Sequence, residues 1–164
     1  MTIETLNSLD RAGFVAAIGW VFEDSPWVAE RAWEERPFAS ADALHGAMVE
    51  RVERALPEEQ LRLLLAHPDL GIRARMTEAS TAEQAGAGLD QLTPEECERL
   101  REFNRTYRDK FGFPFLFAVK GSTKHEIVDA FERRVQSSRE QEYRVALEQV
   151  YRIARYRLED SVTS

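Results

Sequence analysis

The stretch TPEECERLREFNRTYRDKFG, residues 93–112, carries the clearest helix signals in the chain. Thr93 and Glu96 have the spacing of a capping box, in which each side chain bonds the backbone N–H of the other residue. Gly112 suits the position just beyond the helix, because glycine takes positive φ without strain. The aromatic segment FGFPFLFAVKG, 111–121, follows it and contains a proline, so we expect this segment to be extended rather than helical.

Outward from this helix, the apolar residues of the other segments recur at helical spacing. One helix is predicted for each of the segments 10–24, 25–36, 40–56, 57–66, 123–136 and 139–160. No internal repeat and no Pro/Gly/Ser-rich linker divides the chain. We therefore predict the all-α class: a single-domain helical bundle over residues 1–164, with one extended apolar segment near 111–121.

The composition argues against several classes of partner. The chain carries a net charge of −7 at pH 7, whereas nucleic-acid phosphates need a basic face. No apolar run is long enough to span a bilayer, and the first ten residues lack the basic start and apolar stretch of a signal peptide. We therefore expect no nucleic-acid partner, no membrane partner and a cytoplasmic location.

The sequence also lacks the motifs of metal and phosphate sites. No HExxH, HxH or phosphate-binding glycine loop occurs in it. Cys97 is the only cysteine, so neither an internal disulfide nor a CxxC metal site can form. Its neighbours Glu95, Glu96 and Glu98 oppose a nucleophilic thiolate. We predict no metal site.

The first candidate for chemistry lies in LLLAHPDLG, residues 63–71. Pro68 disfavours helical geometry for the residue before it, so the leucine-rich helix must end at or near His67. One interpretation is a helix-end histidine whose ring satisfies the terminal carbonyls. The other is a catalytic imidazole whose backbone the proline holds in place. The residues alone leave both interpretations open.

The second candidate stretch is EASTAEQAGAGLDQL, residues 78–92. Ser80 and Glu83 have the spacing of a capping box that begins a short helix, which is a complete structural explanation for both. That explanation does not cover Gln84. The small residues at 85–88 allow another backbone, or a ligand, to approach closely. The stretch is therefore either an ordinary helix start or one wall of a pocket.

The extended segment presents a similar choice. Its aromatic side chains favour a plug in the core. Its backbone N–H and C=O groups, however, have no sheet neighbour and need partners. A planar, amide-rich ligand is one possible source of those partners.

Four motifs in register make the chain resemble a known family. HPDLG, STAEQAGAGL, FNRTYRDKFGFPFLFAVKG and ALEQVYRIARYRLED occur in this order, after the opening stretch AGFVAAIGWVFEDSPWVAERAW. Together they resemble the family of 2-oxo-4-hydroxy-4-carboxy-5-ureidoimidazoline (OHCU) decarboxylase, an enzyme of urate breakdown. The resemblance covers essentially the whole chain. It implies an all-helical, cofactor-free and commonly dimeric protein.

The resemblance also implies site residues. It gives catalytic roles to His67 of the HP motif, Glu83 of the SxxEQ stretch and Arg157 near the C-terminus. Arg155, which lies on a different helical face, is the second choice for the arginine. Substrate contacts are implied for Pro68, Ser80, Gln84 and the main chain of Phe115, Leu116, Phe117, Ala118 and Val119.

The reaction implied is the decarboxylation of OHCU to (S)-allantoin without metal or cofactor. A ring C=N bond beside the reacting carbon accepts the electron pair that carbon dioxide leaves behind, so the substrate supplies its own electron sink. The resemblance also implies a homodimer that works alongside urate oxidase and hydroxyisourate hydrolase. Two alternatives are a ureide hydrolase and a non-catalytic helical module that binds a partner.

Overall fold

The computed structural model describes residues 1–70, 78–89 and 91–163. It divides into two compact units, one formed by Met1–Ala66 with Tyr151–Ser164 and the other by His67–Val150. Within the described residues the regular elements are α-helices and short 3-10 helices, and one isolated bridge joins Thr2 to Thr163. The predicted all-α class is confirmed. None of the described helices is long and apolar enough to cross a membrane.

The first unit is built from five helices and the end of a sixth. They are α1 Ile3–Ser8, α2 Arg11–Ile18, α3 Trp27–Ala32, α4 Ala41–Glu53, α5 Pro57–Leu65 and the last part of α9, Arg139–Ser161. Side chains cap the N-termini of α2 and α4: Asp10 accepts from the Gly13 N–H at 2.8 Å, and Ser40 accepts from the Ala43 N–H at 3.0 Å. Each such cap satisfies a backbone donor that has no partner inside the helix. The spacing of residues 40–56 predicts one apolar stripe of Leu44, Met48, Val52 and Leu56. The first three are buried, whereas Leu56 is 62% exposed and lies beyond the end of α4.

The helix predicted over 10–24 is shorter in the structure. α2 ends at Ile18 and a 3-10 helix, Gly19–Val21, follows it. A Cβ at Gly19 would lie 3.1 Å from the Val15 side chain and 3.4 Å from that of Pro26, so only glycine fits this turn without displacement. Asp24 then takes a φ of 43°, which is incompatible with a right-handed helix.

The described part of the second unit contains three α-helices and the start of α9. They are α6 Glu78–Gly86, α7 Pro94–Phe111 and α8 Lys124–Arg134. The predicted capping box of α7 is confirmed: Thr93 accepts from the Glu96 N–H at 3.1 Å, and its own N–H donates to Glu96 at 3.0 Å. That N–H bond, with the Lys124 ammonium, lowers the pKa of the Glu96 carboxyl. Gly112 ends the helix with a φ of 82°.

An aromatic cluster fills the core of the second unit. The fully buried ring of Tyr107 lies 4.6 Å from that of Phe111, 5.3 Å from Phe115 and 5.7 Å from Phe131, measured between centroids. Residues 112–119 lie outside any helix, as predicted. The rings of this segment therefore act as a core plug, and its backbone has no sheet neighbour among the described residues.

Candidate functional site

His67 follows directly after the C-cap of α5. The helix ends at Leu65 with Ala66 as its cap, so the predicted position of the helix end is confirmed. His67 is only 5% exposed, and the half-buried Pro68 follows it outside any helix. The imidazole thus lies in a protected environment on backbone that the proline restricts.

Side chains of α7 hold the loop after His67 in place. Arg108 Nε donates to Asp69 Oδ1 at 3.1 Å, and Asn104 Nδ2 donates to the Leu70 carbonyl at 3.0 Å. Asn104 and Arg108 are four residues apart, so they lie on the same face of the helix. Asn104 is 2% exposed, and its bond is therefore shielded from competing water. The loop that follows the imidazole is anchored at two consecutive residues.

Helix α6 carries three of the predicted site residues. Glu83 is half-buried and Gln84 is 5% exposed. Ser80 is the third residue of this helix as described, Glu78–Gly86, so the interpretation of Ser80 as its N-cap is wrong. A residue with helical neighbours on both sides cannot occupy the half-helical cap position.

The glycine-containing stretch after Gln84 ends α6 in a backbone conformation that favours glycine. Gly88 has a φ of 83°, and the N–H of Leu89, one residue on, donates to the Gln84 carbonyl at 3.0 Å. This is the hydrogen bonding of a helix end that needs glycine in the left-handed region. Apart from the adjoining residues and the helix's own backbone, no described atom lies within 4 Å of a Cβ built at Gly86 or Gly88. No described backbone therefore makes the close approach that these small residues allow, and the approach of a ligand stays a prediction.

The 115–119 segment has partners along one edge of its backbone. Arg134 Nη1 donates to the Leu116 carbonyl at 2.6 Å, and the Ala118 N–H donates to Gln149 Oε1 at 2.9 Å. Within the described part of the chain, the backbone N–H and C=O of Phe117 make no hydrogen bond. The predicted shortage of backbone partners is therefore real at Phe117.

Arg134 belongs to a buried network of hydrogen bonds with Glu142 and Tyr107. Glu142 is fully buried, and its Oε1 accepts from Arg134 Nε at 2.5 Å and from Tyr107 Oη at 2.6 Å. The Arg134 guanidinium also lies over the Phe115 ring, 4.4 Å from its centroid. Burial, and then the hydrogen bond to Glu142, raise the pKa of the Tyr107 phenol. The phenol is therefore held neutral as a donor to the carboxylate.

Arg157, predicted to contact substrate, lies in the first unit in a buried ion pair. Its Nη2 donates to Glu23 Oε2 at 2.7 Å, and the two side chains are 3% and 1% exposed. Its Nη1 donates to the carbonyls of Trp20 at 3.2 Å and Val21 at 3.4 Å. Sequence reasoning missed Glu23, since 134 positions separate the pair and no local pattern links them.

Arg155, the second choice, has a different environment. Its side chain is 49% exposed and pairs with Asp42 at 2.9 Å and Glu159 at 3.3 Å. These are ordinary surface pairs, which contribute little to stability. Of the two arginines, Arg157 is the one whose geometry is fixed by buried partners.

The predicted residues are distributed over both units. His67, Pro68, Ser80, Glu83, Gln84 and the 115–119 segment belong to the second unit, and Arg157 belongs to the first. That they form one site stays a prediction. The structure adds Glu23, Asn104, Arg108, Arg134 and Gln149, whose contacts join residues distant in the sequence.

A surface cavity of about 320 Å³ in the second unit contains none of the predicted site residues. His125 lies in its wall, between charged residues that pair with each other. Lys124 lies 2.9 Å from Glu96, and Arg99 lies 2.9 Å from Glu132. In the described ranges no three His, Cys, Asp or Glu residues are grouped as a metal ion would need.

Comparison with known proteins gives a consistent set of relatives. The OHCU decarboxylase family model matches residues 7–159. A Halalkalicoccus jeotgali protein named 2-oxo-4-hydroxy-4-carboxy-5-ureidoimidazoline decarboxylase is 51% identical over 160 residues, which are 98% of this chain and 91% of its own length. A Bacillus sp. (strain TB-90) protein named uric acid degradation bifunctional protein is 43% identical, over 98% of this chain and 32% of its own.

A solved structure agrees with these relatives. The crystal structure of (S)-allantoin synthase matches 99% of this chain and 54% of that one, with a TM-score of 0.82 and 35% sequence identity. The family match thus extends over nearly the whole sequence, and the fold agrees with it. The chain belongs to the OHCU decarboxylase family.

Proposed function

We propose that this protein decarboxylates OHCU to (S)-allantoin in urate breakdown, without metal or organic cofactor. The observation that carries the proposal is the relative named for this activity, which is 51% identical over nearly the full length of both chains. Four motifs in register, and a helix end that holds a buried histidine, add support from the chain itself.

The chemistry needs proton handling rather than an external electron sink. The substrate name places the hydroxyl and carboxylate on ring carbon C4, beside C5, which carries the ureido group and a C=N bond. When the bond to the carboxylate breaks, its electron pair forms a C4=C5 double bond, and the C=N pair moves onto the nitrogen, which takes a proton. The hydroxyl then loses its proton to give C4=O, and C5 gains one. One carbon dioxide leaves and one proton is consumed.

His67 is the proposed proton carrier at the hydroxyl or carboxyl end of the substrate. Imidazole changes charge near neutral pH, so it both accepts and donates a proton under working conditions. The reaction also needs a fixed direction of attack, because the face on which C5 is protonated sets the handedness of allantoin. Pro68, together with the bonds from Asn104 and Arg108 to the following loop, supplies that restraint.

Glu83 and Gln84 are proposed to bind the N–H and C=O groups of the substrate. A carboxylate accepts from ring or ureido N–H groups, and an amide both donates and accepts. The main chain at 115–119 adds an edge of peptide groups that matches a ureido group in shape. Glu83 would also orient the His67 ring.

Arg157 is proposed to bind substrate oxygens. A guanidinium offers parallel donors to a carboxylate or carbonyl, and an arginine already oriented by Glu23 loses little further freedom on binding. Arg155, on its exposed and differently paired side of α9, is the less suitable candidate.

The partners and the location of the protein are also matters of proposal. The protein processes a substrate of urate breakdown, and its relatives include a uric acid degradation bifunctional protein. We propose that the chain works alongside urate oxidase and hydroxyisourate hydrolase, in the cytoplasm and as a homodimer. Light scattering tests the last point, since a dimer has twice the 18.8 kDa mass of one chain.

The deciding experiment follows the optical activity of allantoin. Urate oxidase and hydroxyisourate hydrolase generate OHCU from urate, and circular dichroism then records the product as it forms. Because OHCU also decays without enzyme to racemic allantoin, the protein should give a strong signal of one sign where the coupled enzymes alone give almost none.

Two additions to this experiment separate the alternatives. A signal that disappears after EDTA dialysis and returns with zinc or manganese would favour a metal-dependent ureide hydrolase. An absent signal, combined with no rise in melting temperature when allantoin is added, would favour a non-catalytic binding module. Either result contradicts the proposal.

A further inference from the structure

The 115–119 segment is held by side chains in the way a neighbouring strand would hold it. In an extended chain the C=O of one residue and the N–H two residues later lie on the same edge. Leu116 and Ala118 have this relation, and they bond Arg134 at 2.6 Å and Gln149 at 2.9 Å. Along one edge of the segment, α8 thus supplies a donor and α9 supplies an acceptor.

The other edge of the segment keeps its peptide groups available. In an extended chain the N–H and C=O of Phe117 lie opposite to those of its two neighbours. Those Phe117 groups have no hydrogen-bond partner in the ranges that the structure describes, and Phe117 is half-buried. The opposite edge of the segment is held by Arg134 and Gln149, whereas the Phe117 edge has no described partner. Such an edge suits a ligand that itself carries N–H and C=O groups.

Stability alone does not explain the buried ion pair of Glu142 and Arg134 that contacts the 115–119 segment. Burying the carboxylate of Glu142 is unfavourable, and apolar residues of similar size are often at least as stabilising as a buried pair. Here Glu142 accepts from Tyr107 and Arg134, which fixes the guanidinium, and the guanidinium bonds the Leu116 carbonyl. Arg134 is 12% exposed at the side chain, so water competes little for its bonds.

We propose that Arg134 and Gln149 are positioning residues that fix the 115–119 main chain in the shape that receives the substrate. The inference rests on the proposed function, because it assumes that this main chain binds OHCU. Neither residue touches the reacting atoms. Each acts through the backbone group it bonds, Arg134 through the Leu116 carbonyl and Gln149 through the Ala118 N–H.

Gln149→Leu is the decisive variant, because it removes the acceptor without leaving a buried charge. We expect KM for OHCU to rise about tenfold, the loss expected from one poorly oriented hydrogen bond. kcat should change less than KM, and the enantiomeric excess of allantoin should fall, because a loosely held substrate is protonated on both faces. Gln149→Glu keeps an acceptor oxygen and should restore both values. A purely structural role would lower the folded fraction and leave KM unchanged.

Arg134→Gln and Arg133→Gln form a matched pair on α8. Arg133 is exposed and carries the same charge, so its substitution should leave KM and enantiomeric excess at wild-type values. Arg134→Gln should raise KM as Gln149→Leu does. If Arg134→Gln fails to fold, the Gln149 variants decide the question alone.

The outcomes separate this inference from the proposed function. If wild-type protein yields no optically active allantoin, the proposed function is wrong. If wild-type protein is active while Gln149→Leu retains the wild-type KM and enantiomeric excess, the positioning role is wrong and the proposed function stands. The same conclusion follows if Gln149→Glu fails to restore KM although it folds as the wild-type protein does.

Discussion

Replacing the buried pair of Glu23 and Arg157 should separate stability from activity. Each single substitution, Glu23→Met or Arg157→Met, leaves an uncompensated charge where side chains are only 1–3% exposed. Breaking a buried pair in this way typically costs about 3–5 kcal/mol. For a chain of this size, that free-energy change lowers the melting temperature by about 6–20 °C.

The double variant, Glu23→Met with Arg157→Met, should recover most of that stability, since it leaves no unpaired charge. The Trp20 and Val21 carbonyls still lose a donor, so we expect it to remain about 1–2 kcal/mol below wild type. Activity should not return with stability, because a thioether cannot bind substrate oxygens. Arg155→Met, two residues away at an exposed pair, is the control and should change stability by less than about 0.5 kcal/mol.

The assay combines urea unfolding of all four variants with circular dichroism of the allantoin they form. A double variant that is stable and turns over at the wild-type rate would show that Arg157 is structural only. An inactive Arg155→Met beside an active Arg157→Met would transfer the substrate contact to Arg155. Single variants that unfold at the wild-type urea concentration would refute the reasoning about the buried charge itself.

Three further predictions concern the second unit. His67→Asn should fold normally, lose about 10²- to 10⁴-fold in rate and yield racemic allantoin; optically pure product at the normal rate would leave His67 as a helix-end residue only. Glu83→Gln should keep its melting temperature and lose activity by orders of magnitude, whereas parallel losses of both would indicate a structural role. Tyr107→Phe should lower stability at neutral pH by about 1.5–3 kcal/mol, since it removes a buried bond to the Glu142 carboxylate. Because the pKa of the Tyr107 phenol is raised in the folded protein, the phenol ionises at a lower pH in the unfolded chain than in the folded one. The contribution of the phenol to the free energy of unfolding is therefore present below about pH 10 and is lost as the pH rises above it. Urea unfolding between pH 7 and 11 should show a shallower alkaline decline in Tyr107→Phe than in wild type.

Local signals made much of the fold predictable. The capping box of α7 and its terminal glycine act over three or four residues, so spacing alone was enough to place them. Pro68 likewise placed the end of α5 beside His67. The sequence does not reveal the short helix α1, and the capping-box interpretation of Ser80 fails because the same spacing also occurs by chance inside a helix. The roles of the site residues came from resemblance and stay predictions.

The contacts that hold the site residues depend on which helix faces meet. Glu23 and Arg157 are 134 positions apart, Tyr107 and Glu142 are 35 apart, and Arg134 reaches the carbonyl of Leu116 across 18. In the sequence, each polar side chain of these pairs is one among many polar side chains. For most of them, exposure to solvent is the ordinary expectation. Packing removes water from some of them, and burial then makes a partner obligatory. Periodicity and caps act within one element, but the choice of partner is made between elements, by the tertiary fold.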